Sequence, residues 1–179
     1  MSVSKDGKAW PDVERRASDR RQAARRATQR RSGRDRRDEG AWIPVSLDPS
    51  ADEALITAAR VVRLRAQAAY SGFKVGAALE LPDGTTVGGC NIENATYGLT
   101  ICAERVALVK ALSDGQTKFT RIAVVADTDA PVPPCGPCRQ LLWEYCGDIE
   151  VLLANLQGPT ARYRLSELLP LPFDNRLLK

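Results

Sequence analysis

Two runs in the second half of the chain, Ile122–Ala126 and Val151–Ala154, are apolar at every position. At five and four residues they are strand-sized, and a strand with no polar alternation must be covered on both faces. The segments around them carry a helical period. From Ala51, ADEALITAARVVRLRAQAAY repeats Leu55, Ala58, Ala59, Val62 and Ala66 at three- and four-residue spacing, with Asp52 and Glu53 in the first turn, and predicts a helix over 51–70. SGFKVGAALEL and TTVGGCNI flank LPDG, whose Asp83-Gly84 pair predicts a β-hairpin. CAERVALVKALSDG then predicts a helix with Val106, Leu108, Val109 and Leu112 on or near its buried face and Gly115 as its stop. CGPCRQLLWEYCG, between the two apolar runs, predicts a second short helix. Strands alternating with helices in this order predict an α/β layered domain, its mixed sheet covered by helices.

The chain of 179 residues suits one such domain, and none of its apolar runs approaches the roughly 18 residues needed to cross a bilayer. No membrane partner is expected. The N-terminus lacks the apolar stretch of a secretory signal, which predicts a cytoplasmic protein whose five cysteines are thiols or metal ligands. The net charge of +4 joins two unlike segments. Residues 1–40 hold thirteen Lys or Arg against seven Asp or Glu, whereas residues 41–179 hold thirteen against fifteen. In the first segment Arg15-Arg16, Arg20-Arg21, Arg25-Arg26 and Arg30-Arg31 recur every five residues, which on a helix turns each doublet by about 140° from the last. With almost nothing to bury, residues 1–40 are expected to form a disordered extension or a solvated helix. Such an extension either only solubilises or weakly attracts nucleic acid and other polyanions, without the aromatics that would stack bases. The domain proper is expected over 41–179, beginning with the irregular lead-in WIPVSLDPS.

The cysteines carry the chemistry. Cys102 opens one predicted helix, and Cys135 and Cys138 straddle the start of the other. Helix N-termini favour thiolate over thiol, so these positions prepare soft ligands, for which zinc is the natural occupant. A Cys-x-x-Cys pair also occurs in zinc ribbons and redox motifs, and Cys90 or Cys146 could in principle supply a fourth ligand. The redox reading leaves Cys102-Ala103-Glu104 unexplained, and Cys90 and Cys146 fall at the far ends of a strand and a helix, where they read as packing residues. The chain has no histidine to complete the set. Three ligands leave a position open for water, and Glu104, two residues past Cys102, can take its proton without being a ligand. A first ligand two residues before Glu, followed by Pro-Cys-x-x-Cys, is the signature of zinc nucleobase deaminases, here with cysteine in all three ligand positions.

YSGFKVGAAL, GCNIENATYG, TICAERVALVKALSDG, PCGPCRQ and LLPLPF follow one another as in the small homotetrameric cytidine deaminases, and the chain resembles that family over about residues 50–173. The resemblance implies a three-layer αβα fold and hydrolytic deamination of cytidine and deoxycytidine, with one zinc ion per chain on Cys102, Cys135 and Cys138. It implies that Glu104 shuttles the proton and that Arg105 donates to the ligand sulfurs. Asn91 and Glu93 would hold the ribose 3′-hydroxyl, although either alone could merely cap the hairpin end. Phe73 would pack against the pyrimidine, although the residue alone reads equally well as core. Phe173 would reach into the site of a neighbouring subunit of the homotetramer. Two rival readings remain beside it: a deaminase of aminoacyl-nucleoside antibiotics such as blasticidin S, and a polynucleotide deaminase using the basic extension. Intact NIEN and CAER speak against the first, and the negative balance of residues 41–179 speaks against the second.

Overall fold

The computed structural model describes residues 51–158, 160–173 and 175–178. The arginine-rich extension and the lead-in from Trp42 lie outside the described residues. Helix α1, Ala51–Arg63, is followed by the hairpin β1, Val75–Glu80, and β2, Thr86–Cys90. After a short 3-10 turn at Tyr97–Leu99 come α2, Ala103–Ser113, β3, Arg121–Ala126, and α3, Gly136–Cys146. The chain then forms β4, Glu150–Ala154, β5, Thr160–Arg164, and a single helical turn α4, Leu165–Leu168.

The five strands make one mixed sheet in the order β2-β1-β3-β4-β5. Only β3 and β4 run parallel, joined across α3; the other pairings are antiparallel. Strand alternation divides the core in two. Ala78, Ala123, Val125, Leu152 and Ala154 meet Leu55, Ile56 and Ala59 of α1. Ala77, Leu79, Ile122, Val124, Val151 and Leu153 meet Ala103, Ala107, Leu108 and Ala111 of α2 and Leu142 of α3. This is the expected α/β architecture in three layers. No helix among the described residues is long and apolar enough to cross a membrane.

Two expectations are corrected, and one strand is added to the sequence reading. Helix α1 stops at Arg63 and does not reach Tyr70. Its last amides tighten into bonds from Leu64 to Val61 and from Arg65 to Val62, after which the backbone of Gln67 pairs with Asn91 and Glu93 at 3.0 and 2.8 Å. Those bridge partners outcompete another helical turn. On α2, Val109 is 59% exposed, whereas the buried face is built from Ala103, Glu104, Ala107, Leu108 and Ala111. The helix lies so close to the hairpin that only small residues fit between them. Strand β5, absent from the sequence reading, pairs with β4 at the sheet edge.

Ions close the sheet end farthest from the cysteines. Asp52, 1% exposed in the first turn of α1, binds Arg121 at 2.5 Å and also Arg162. Arg121 reaches on to Glu80 at 2.5 Å, and Arg162 to Glu150 at 2.8 Å. The chain of charges alternates in sign throughout, pinning α1 to β1, β3, β4 and β5. At the opposite end of the strands, the loops entering α2 and α3 are left to build a site.

Candidate active site

Cys102 and Cys135 are the N-cap residues of α2 and α3, each in extended conformation. Each cap carbonyl begins its helix, accepting from Val106 N and Arg139 N at 3.0 Å. Pro137 sits in the first turn of α3, where its missing N–H leaves no bond unmade, and Cys138 follows it into the interior. The two helix starts thereby bring three sulfurs together, with Cys102 Sγ 3.8 Å from Cys135 Sγ and Cys135 Sγ 3.3 Å from Cys138 Sγ. All three lie within 4.8 Å of one another. Thiolates sharing one tetrahedral zinc ion at about 2.3 Å stand roughly 3.8 Å apart, so the donor set and its spacing fit zinc. Cys90 and Cys146 are half-buried and lie outside this group, with Cys146 packed against the core.

The surroundings favour negative sulfur. Arg105 Nη2 lies 3.7 Å from Cys102 Sγ and donates to Thr100 O at 3.0 Å, which fixes the guanidinium against the ligand. A hydrogen bond from Cys138, assisted by Arg105, holds the Cys102 thiol down at about 5. The same bond pushes the Cys138 thiol upward, since that thiol gives its proton to the pair. Two helix N-termini add their dipoles at the same point.

Glu104 stands in the first turn of α2 and is 5% exposed. Burial pushes its carboxyl up to about 7, the range in which a group both accepts and releases protons at neutral pH. The carboxyl faces a pocket of about 240 Å³ whose wall also includes Cys102, Cys135, Phe73, Asn91 and Glu93. Six expected site residues thus share one cavity, Cys138 supplies the third sulfur, and Arg105 touches the first. Val75, Val124, Val132 and Pro133 supply the apolar lining.

Asn91 and Glu93 are tied to the facing loop as well as facing the pocket. Asn91 Oδ1 accepts from Val75 N, and its Nδ2 donates to Phe73 O, both at 2.8 Å. Glu93 accepts from the backbone of Tyr70 and Ser71 and from the Ser71 hydroxyl. Phe173 is not in the pocket wall. It is 58% exposed, and its backbone forms a reciprocal pair with the side-chain amide of Gln140, at 2.5 Å from Nε2 to the carbonyl and 3.3 Å from the amide to Oε1. Sequence reasoning missed three supports: Ser71, Gln140 and Arg139. Arg139 donates to Pro134 O at 2.6 Å and to Leu168 O at 2.8 Å, bracing the loop that bears Cys135. Its only signal was its position directly after Cys138.

Residues 49–153 match a family profile described as the cytidine and deoxycytidylate deaminase zinc-binding region. The chain is similar to a cytidine deaminase of Halalkalibacterium halodurans, 55% identical over 119 residues that cover 66% of this chain and 90% of the relative. It is also similar to the crystal structure of a cytidine deaminase from Burkholderia pseudomallei, with 49% identity and a TM-score of 0.66 over 68% of this chain and 98% of that one. A blasticidin-S deaminase of Bacillus cereus is more distant, at 34% identity over 55% of this chain and 76% of the relative.

Proposed function

The chain belongs to the zinc-dependent cytidine deaminases, and we propose that the pocket between α2, α3 and the hairpin is where its own residues convert cytidine and water to uridine and ammonia. One observation carries this reading: three cysteine sulfurs converge within 4.8 Å beside a buried carboxyl, all on helix starts that share one cavity. Cys102, Cys135 and Cys138 would hold the zinc, which would supply the Lewis acidity that makes water a competent nucleophile near neutral pH.

The remaining work falls to side chains. Phe73 and the apolar wall take the pyrimidine ring, and Asn91 and Glu93 face the sugar and accept or donate at its 3′-hydroxyl. Glu104 takes a proton from the attacking water and delivers it to N3 of the base, then takes the second proton from the new C4 hydroxyl and gives it to the amino group, which leaves as ammonia. A carboxyl raised to about 7 suits both transfers. Arg105 offsets the negative charge of three thiolates by holding its guanidinium against Cys102. Replacing Glu104 with Gln keeps the shape of the wall and removes the proton acceptor. The variant should retain about one zinc per chain while losing at least a hundredfold in kcat. Full turnover in that variant would overturn the assignment.

Deoxycytidine is taken as well, since no group of the reading depends on the 2′-hydroxyl. The catalytic domain spans 41–179 and assembles as a homotetramer in which Phe173 completes a neighbour's site. That assembly is supported by an exposed apolar set that includes Phe173 at 58%, Leu171 at 92%, Tyr97 at 77% and Leu99 at 63%. The arginine doublets of residues 1–40 give a weak, salt-sensitive attraction to nucleic acid; an oligonucleotide affinity that survives their removal would refute this role.

A further inference from the structure

One polar cluster at the edge of the pocket contains a side chain, Ser71, that the reaction described above does not use. It joins Glu93 to the loop Tyr70–Phe73, where Gly72, at φ +70°, turns the chain back on itself. Glu93 Oε2 accepts from Tyr70 N at 2.8 Å and from Ser71 N at 3.1 Å. Glu93 Oε1 accepts from the Ser71 hydroxyl alone. The same hydroxyl oxygen accepts from Phe73 N at 2.9 Å.

These bonds leave little freedom. A serine hydroxyl has one proton, and with Phe73 N–H directed at a lone pair of Oγ, that proton is aimed at Glu93. Each carboxylate oxygen offers about two acceptor sites. Two backbone amides take those of Oε2, so Oε1 is the oxygen that keeps one free. Glu93 lines the pocket, whereas Ser71 lines an adjoining hollow with Tyr70 and Tyr97 that shares Glu93 and Thr100 with the pocket. Ser71 is thus placed to act on the pocket through the Glu93 carboxylate. The three donors also hold the Glu93 carboxyl below the ordinary range, with the Ser71 hydroxyl as the largest cause.

We propose that Ser71 is the positioning residue for the sugar end of the site: its hydroxyl turns Glu93 Oε1 toward the 3′-hydroxyl and ties that carboxylate to the backbone of Phe73. Sugar and base contacts are thus set in register by one side chain. The inference rests on the reading of Glu93 as the residue that faces the 3′-hydroxyl. Without the serine proton, the carboxylate keeps its two amide bonds through Oε2 but can swing about them, and the free lone pair loses its aim.

The test compares cytidine with 3′-deoxycytidine in the wild-type enzyme, Ser71→Ala and Ser71→Thr. The wild type should prefer cytidine. Ser71→Ala should lose about tenfold in kcat/KM for cytidine, chiefly through KM, and far less for 3′-deoxycytidine, so that the preference collapses. Ser71→Thr keeps the hydroxyl and should restore the preference. Equal losses on both substrates, with the preference intact, would reduce Ser71 to a loop-stabilising residue and overturn the proposal alone. A wild-type enzyme indifferent to the 3′-hydroxyl would remove the sugar role of Glu93, and the proposal with it.

Discussion

Gly89 offers the sharpest test of how the fold sets the chemistry. It lies in β2 opposite Ala77, on the sheet face covered by α2. A Cβ at this position would stand 2.4 Å from Ala107 N, 2.5 Å from Ala103 O and 3.0 Å from Ala107 Cα, all backbone atoms of α2. Ordinary contact begins near 3.4 Å, so Gly89→Ala forces helix and strand apart by about 1 Å. No side chain can rotate away to absorb the clash. Overpacking of this kind costs about 1–3 kcal/mol, and a clash against rigid backbone belongs at the upper end. Ala103, whose carbonyl is struck, sits between Cys102 and Glu104. A 1 Å displacement there separates ligand and acid from the pocket wall they share, and misplacement of that size is worth roughly a hundredfold in kcat.

Gly76 provides the control. On β1, facing the opposite layer, a Cβ would meet Ala59 O at 2.0 Å and Arg63 N at 2.8 Å, both on α1. Gly76→Ala should therefore cost at least as much stability while disturbing a helix that holds neither a sulfur nor Glu104. Urea midpoints and the turnover of cytidine per folded chain, measured on both variants, separate the two effects. If Gly89→Ala folds and retains kcat within about twofold, or if Gly76→Ala loses as much turnover, close approach of α2 is not what places the catalytic groups.

Asp52→Ala should destabilise the protein by about 2–4 kcal/mol in urea, because it leaves two arginines facing a buried void while Glu80 and Glu150 still hold their outer ends. Turnover of the folded fraction should hold, since the ion chain lies at the other end of the strands; a large loss of kcat at full folding would contradict that separation. Phe173→Ala and Glu104→Ala should each be poor enzymes alone, yet coexpressed chains should exceed the sum of the parents, because some sites then combine Glu104 of one subunit with Phe173 of another. Strict additivity in preparations shown to contain mixed tetramers would return Phe173 to its own subunit.

What the sequence discloses follows the range of the interactions involved. Cys102, Glu104, Cys135 and Cys138 are legible because their partners are their own helix starts, a local matter of two- and three-residue spacing. The hairpin is legible for the same reason: Asp83 and Gly84 carry their turn alone, with Gly84 at φ +82° and Thr85 N bound to Asp83 Oδ1 at 2.9 Å. The end of α1 is not, since nothing in RLRAQAAY breaks a helix. It ends because the backbone of Gln67 meets Asn91 and Glu93, more than twenty residues away. Strand β5 hides behind Arg162, whose charge belongs to a partner at Asp52, 110 positions earlier. Ser71 carries no signal of its own, because a serine in an exposed loop becomes informative only when its neighbour across the cleft is known.

The one misplaced residue on α2 shows why packing and chemistry cannot be separated in this protein. Val109 points outward, and the inward positions Ala103, Ala107 and Ala111 are fully buried alanines. Larger residues would bury more apolar area, about 25 cal/mol for each additional Å². They would also lift the helix off Gly89. The alanine face gives up that burial in exchange for closeness, and closeness decides where the first turn points. With Ala103 and Ala107 pressed against the hairpin, the neighbouring carboxyl of Glu104 has no route to solvent and must enter the pocket beside Cys102. Its burial is what raises its proton affinity toward neutrality. The location of the acid and its titration range therefore have one cause, the contact between small residues on α2 and a glycine on β2.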